Sequence, residues 1–402
     1  MRKLLRRLLW VPVLAILFCF GCSPTLKKEA QQPEEALNPV RMFYPRFQDD
    51  TEPASLIEAI RRNFLYLDKL DADHVFLYGP HRYTCRQVRE TQEEFIRILS
   101  QNPDPDELDR KIKKNFRVYR ATGRAGNPQV LFTGYFEPTY EAKLFPDETF
   151  RYPIYRRPED LIAIDLSLFD ADQFEGKRIV ARLDGQEIVP YFTRRQIEVE
   201  RRLGEKNLEI AYLKDPVDVA FLHIQGSGRL MLPDGRTISV GYHASNGRPY
   251  RSIGKYMIDE GFVTREMMSM QTIRRYLAEH PEIIEDVLNH NPSYVFFRRL
   301  ETGPLGNLNV PVTPGRSLAL DSRLFPKGAL CFLSSQKPVV DRDGEIVGWS
   351  PFSRFVLNQD TGGAIKGAGR ADLFWGSDSY AQVAAGHMKH DGDLYVLIKK
   401  SF

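Results

Sequence analysis

Apolar residues recur at three- and four-residue spacing over 52–70 (EPASLIEAIRRNFLYLDKL) and 91–100 (TQEEFIRILS), a pattern that predicts two amphipathic helices with their apolar faces in a core. Ahead of them, residues 23–40 (SPTLKKEAQQPEEALNPV) are polar, contain Pro and offer little to bury, so they read as a flexible tether. From Val130 the spacing changes. VLFTGYFEP, DVAFLHIQGSGRLML and RTISVGYHA read as strands punctuated by Gly, Pro and Asp, and LPDGRT as a hairpin turn centred on Asp-Gly. A helical interval returns over 264–290, and NPSYVFFR then begins a second β region that continues through LALDSRLF, GALCFL, RFVLNQD and LYVLIK. Many short strands without regular helical crossovers predict a mainly β protein with amino-terminal helices, and a barrel rather than a parallel sheet.

Composition adds size and compartment. With 402 residues and 42% hydrophobic content the chain can fill two domains, and 56 basic against 53 acidic residues leave no global field that would argue for nucleic acid. The first 22 residues pair a basic segment ending at Arg7 with an apolar run from Leu8 to Phe20 and then Gly21-Cys22, which is an export signal. That run is shorter than the roughly 20 residues of a comfortable membrane span. Two cysteines remain in the exported part, Cys85 and Cys331. They could pair in an oxidising compartment, although the apolar ALCFL run around Cys331 favours a buried thiol. The exported part lacks CxxC and Cys/His ligand spacings, and the chain lacks GK[ST] and GxGxxG loops, so no metal, nucleotide or other cofactor is expected.

The stretch QDTGGAIKGAGRADLFWG, from Gln359 to Gly376, carries the candidate chemistry. It sets Asp360 and Asp372 around a glycine-rich turn between apolar steps, where desolvation would favour a protonated carboxyl suited to general acid work. Asp beside Gly is also ordinary turn chemistry. Asp360-Thr361-Gly362 further spells the aspartic protease signature, yet Asn358 and Gln359 before it are polar and no partner motif follows to build a dyad.

The segments RSLALDSRLFPKGALCFL and QDTGGAIKGAGRADLFWG resemble the three-aspartate (3D) double-psi β-barrel module, with Asp321, Asp360 and Asp372 at its acidic positions. Upstream, FTGYFEP, HIQGSGR and GYHASNGRPYRSIG match a second signature, and together these motifs resemble the membrane-bound lytic murein transglycosylase A family. The resemblance implies a double-psi barrel assembled from about 41–138 and 303–402, with a second β-rich domain inserted at 139–302 and a glycan groove between them. It implies non-hydrolytic cleavage of peptidoglycan strands, Asp372 as the acid, and Asp360 and Asp321 in support. Thr133, Tyr135, Glu137, Gln225, Ser227, Asn246, Tyr250, Arg251 and Trp375 become candidates for sugar contact, with Tyr135 and Trp375 as stacking platforms. Polar groups of the glycine-rich loops fit saccharide recognition and plain hairpin turns about equally well. Gly-Cys at the end of the signal resembles a lipobox with Cys22 as lipidation site, and Ser23 after it implies sorting to the outer membrane, facing the periplasm. The expected protein is a monomer whose further partners would be murein synthase or scaffold proteins.

Overall fold

The computed structural model describes residues 29–301 and 303–400, so the signal segment and Cys22 lie outside the described residues. Eight strands form the sheet of the first domain, the short Leu37–Pro39 and seven labelled here: β1 (Phe116–Ala121), β2 (Val130–Tyr135), β3 (Ser317–Ala319), β4 (Leu330–Val340), β5 (Ile346–Asp360), β6 (Arg370–Phe374) and β7 (Lys389–Lys399). Six of them close a ring in the order β2, β6, β3, β5, β4, β7 and back to β2, while β1 pairs with the far end of β7. The β2–β6 and β3–β5 pairs are parallel and the others antiparallel, which is the mixed pairing of a double-psi barrel. Closure satisfies the edge hydrogen bonds that an open sheet would leave free.

Both faces of the long strands are buried, which is why ALCFL reads as a continuous apolar run rather than an alternation. Cys331, Leu333 and Val356 face one cluster, while Leu330, Phe332, Phe355 and Leu357 face another formed with Leu56, Ile60, Phe95 and Ile98 of the helices. Those helices span Pro53–Leu67 and Cys85–Leu99. The second begins well before the periodic window because Thr84 and Gln87 form a reciprocal capping box at its start. Cys85 and Cys331 are buried free thiols, so no disulfide joins them.

Three segments differ from expectation. The tether at 23–40 is docked in its second half: Pro33–Ala36 forms a helical turn, Leu37–Pro39 pairs with β1, and Ala30, Ala36 and Leu37 are buried. Three apolar side chains sufficed to anchor a segment of polar composition. DVAFLHIQ, read as strand, lies in a helix at Pro216–Gln225 capped by Asp215, opened by Pro216 and ended by Gly226 at φ +75°. Its side chains are buried nearly all round, so no helical stripe marks it. LALDSRLF contributes only Ser317–Ala319, after which Asp321 accepts the N–H of Arg323 and turns the chain.

Between the two parts of the barrel lies a second β-rich unit. Its six-stranded sheet runs in the order Val295–Leu300, Thr237–Ser245, Ser227–Met231, Thr139–Lys143, Glu209–Leu213, Tyr152–Tyr155, and a bridge between Arg156 and Phe297 links the two edges. A three-stranded sheet of Ile162–Asp165, Arg178–Asp184 and Glu187–Pro190 adjoins it. The expected helical interval appears as Met270–Glu279 and Ile284–Asn289, and Gly235 at φ +81° makes the LPDGRT turn.

Candidate active site

Strand register brings the two aspartates together. Ala319 of β3 pairs with Asp360 at the end of β5 on one side and with Asp372 of β6 on the other. The carboxylates therefore flank one small side chain, two strand spacings or about 9–10 Å apart at the Cα atoms. Nothing in the sequence separation announces this, because it depends on how the barrel closes.

Asp372 keeps partial exposure and has one named hydrogen bond, from Thr133 Oγ1 to Oδ1 at 2.6 Å, made possible because Thr133 is its parallel partner on β2. Burial pushes its pKa up to about 6; the Thr133 hydroxyl and the Arg370 charge oppose that rise, and the Asp360 charge reinforces it. Among the described residues, no hydrogen bond to its Oδ2 is formed. Asp360 is bound differently. Tyr135 Oη donates to Oδ2 at 2.8 Å, and the N–H groups of Asn307 and Thr361 donate to Oδ1 at 2.9 and 2.8 Å. Burial raises its pKa, while the three donors favour the ionised form. Gly306 lets the Asn307 loop approach, since a Cβ there would lie 2.5 Å from the Gln359 carbonyl.

Asp321, grouped by sequence with these two as a catalytic candidate, is buried and occupied elsewhere. Arg323 donates to both of its oxygens, at 3.0 and 2.7 Å, and the Gly367 N–H donates to Oδ2 at 2.8 Å. Burial raises its pKa, but these donors and the Arg323 charge outweigh it and hold the carboxyl below its ordinary value. It pins the glycine-rich loop.

The other candidates divide into those at the pair and those behind it. Thr133 and Tyr135 contact the aspartates directly, and the Tyr135 ring rests against Phe374 at 5.1 Å, so it serves as a hydrogen-bond donor rather than a stacking platform. Tyr250, on the inserted unit, faces the barrel: a Cβ on Gly363 would lie 3.7 Å from its Cβ, and the charges of Arg370 and Asp372 both bear on its hydroxyl. The two units therefore meet close to Asp372. Arg251 is exposed, with its backbone N–H held by Asn291 Oδ1 at 3.1 Å.

Behind the aspartates, Glu137 is buried against Arg229 at 3.0 Å, and its Oε1 has no partner among the described residues. Gln225 Oε1 accepts the Phe136 N–H at 3.1 Å, and Ser227 is buried at the start of its strand. Asn246 donates to the Phe192 and Pro292 carbonyls and accepts from Tyr294 N–H, which leaves it no surface for sugar. Trp375, expected to stack on sugar, belongs to the core, 5.8 Å from both Phe352 and Tyr380. Gly134 is required beneath it, because a Cβ there would come within 2.6 Å of the indole.

Arg370 and the Asn307 N–H were missed by sequence reading. Arg370 lies two residues before Asp372 on one strand, hence on the same face, and its guanidinium reaches Thr133 Oγ1 at 3.4 Å. That period was legible. Asn307 sits in a loop and offered no signal.

Comparison with known proteins agrees with this architecture. Residues 131–298 match the family model described as MltA specific insert domain, and 316–398 match that of the 3D domain. A membrane-bound lytic murein transglycosylase A of Vibrio cholerae is 29% identical over 397 residues, covering 98% of this chain and 94% of its own. The Escherichia coli K12 protein of the same name is 34% identical over 283 residues, 70% of this chain and 68% of that one. The crystal structure of a membrane-bound lytic murein transglycosylase from Agrobacterium tumefaciens superposes with a TM-score of 0.72 at 32% identity, covering 90% of this chain and 98% of that chain. MltA from Neisseria gonorrhoeae gives 0.67 at 28% identity, with coverage of 94% and 97%. With its insert and 3D modules in place and relatives of this identity over most of its length, the chain belongs to the membrane-bound lytic murein transglycosylase A family.

Proposed function

We propose that this enzyme cleaves the β-1,4 bond between N-acetylmuramic acid and N-acetylglucosamine without water, with Asp372 serving as acid and then as base. The observation that carries the assignment is the contrast between the two carboxyls. Asp372 has an uncommitted oxygen and a pKa of about 6, whereas both oxygens of Asp360 are held by three donors. Protonated Asp372 delivers its proton to the departing O4 as positive charge develops at C1. Ionised Asp360 stabilises that charge and raises the affinity of Asp372 for its proton. The C6 hydroxyl of the muramyl residue then attacks C1, and its proton passes to the Asp372 carboxylate, which regenerates the acid and leaves a 1,6-anhydro ring. Holding an internal nucleophile near C1 replaces a bound water through effective molarity. The groove between the barrel and the Tyr250 loop accommodates the strand, with Arg370 and Arg251 placed for the carboxylates of muramyl substituents. The E. coli homologue, of the same fold, has been crystallised with bound chitohexaose, which accords with a glycan in that groove.

A lipid anchor on Cys22, with the catalytic units in the periplasm and the anchor in the outer membrane, fits the apolar run ending in Gly-Cys and the following Ser23. The relatives are named membrane-bound, and no helix among the described residues is long and apolar enough to cross a membrane.

Mass spectrometry of fragments released from purified murein tests the chemistry. Anhydro-muramyl ends that disappear in Asp372→Asn are expected. Reducing ends would instead make the enzyme a hydrolase, and binding of murein without any release would make it a wall-binding module.

A further inference from the structure

The small sheet of the inserted unit exposes aliphatic side chains on one face, around the buried Ala181. Residues opposite one another in antiparallel strands share a face, and alternate residues along a strand return to it. Ile164 lies opposite Ile179 and Leu183 opposite Ile188, so these four aliphatic side chains stand together. Ile179, Leu183 and Ile188 are 44%, 59% and 57% exposed. The turn after Ile162–Asp165 adds Leu168 and Phe169, at 85% and 75%. A hydrogen bond from Leu166 N–H to the Lys177 carbonyl ties that turn to the neighbouring strand. The opposite face is already occupied: Val180 packs under Gly247, and Arg182 lies 4.5 Å over the Phe192 ring. Scattered exposed apolar residues are normal on a protein surface, but five contributed by one small sheet and its turn form a patch.

Charge around the patch is predominantly acidic. Asp170, Asp172, Glu175 and Glu187 are exposed, and among the described residues none forms an ion pair with a basic side chain. Asp165 and Asp184 are neutralised by Arg178 and Arg182, and the Lys177 ammonium is turned onto the Gln173 carbonyl and the Phe174 ring. We propose that this face docks a protein that presents an apolar knob ringed by Lys and Arg. The acidic rim would repel anionic lipid headgroups and the same face of a second copy, so charge complementarity selects a basic protein partner. The partner would sit behind the loop that carries Tyr250, outside the glycan groove, because Gly247 of that loop rests on the sheet's other face.

Site-specific photo-crosslinking in cells, using the full-length chain with a benzophenone side chain at Leu183, tests this. A control position is Val347, exposed on the barrel hairpin. The expected result is an adduct with a protein at Leu183 and none at Val347, the linked segment being apolar and flanked by Lys or Arg. That protein, purified, should bind the detergent-extracted full chain about tenfold more weakly after Leu183→Asp with Ile188→Asp, and more weakly as salt rises. Murein digestion by the double variant should be unchanged, which also reports that it folds. Adducts with a second copy, with phospholipid or with glycan would overturn the proposal. So would absence of an adduct, or binding indifferent to the double variant.

Discussion

At the scale of single residues, the proposed chemistry rests on keeping one carboxyl protonated near neutral pH. Asp372→Asn should lower release of anhydro-muropeptides by about 10³-fold, a typical loss for a positioned proton donor. Since the acid must carry its proton, kcat/KM should fall as pH rises through about 6, the value to which burial pushes Asp372. Thr133→Val removes a donor that favours the charged form, so the alkaline limb of the profile should move to higher pH with the fold intact. The same shift has a stability consequence. A folded-state pKa of about 6 lies above the unfolded value of about 3.9. This group's contribution to stability is therefore complete below about pH 4 and is lost as pH rises through about 6. At pH 7, Asp372→Asn should raise Tm by about 2 °C in a thermal melt while abolishing activity. The motif and the family resemblance singled out Asp360 and Asp372, and the fold sets them on either side of Ala319. The place of Trp375 was not legible, because an indole reads the same whether it faces sugar or, as here, Phe352, Tyr380 and the backbone at Gly134.

At the scale of elements, the glycine-rich segment after β5 is held by a carboxylate it does not contain. Asp321 links the Gly367 N–H to the Arg323 guanidinium, so Asp321→Ala leaves the Gly367 amide without its partner while the exposed Arg323 turns to water. The expected cost is about 1–2 kcal/mol, seen in denaturant melts, with faster hydrogen exchange confined to residues 362–369. Loss of activity in that variant should trace to loop order and leave the pH profile of the surviving activity in place. The helix at Pro216–Gln225 shows why periodicity failed at this scale: buried on nearly every side, it lacks the polar stripe that distinguishes helix from strand, and only its Asp215-Pro216 start and Gly226 stop were informative. The docked half of the tether was equally hidden, since three small apolar contacts and one short strand pairing weigh little in composition.

For the whole molecule, function requires the inserted unit to meet the barrel. Tyr250→Ala, which alters the groove wall opposite Asp372, should lower kcat/KM on murein by about tenfold with little change in Tm. Hydrophobic spacing by itself determined that the chain is mainly β after amino-terminal helices, and the turn-rich motifs fixed where acidic chemistry and family membership would lie. Those are local properties, written in residue type and short-range period. Tertiary structure alone decided that Ala319 would stand between Asp360 and Asp372, that Asp321 would be spent on the Gly367 loop, and that Tyr250 would reach the pair from the inserted unit. Each of these depends on pairing between strands or loops far apart in sequence, and long-range register is set by barrel closure and burial across the whole fold, which no local window contains.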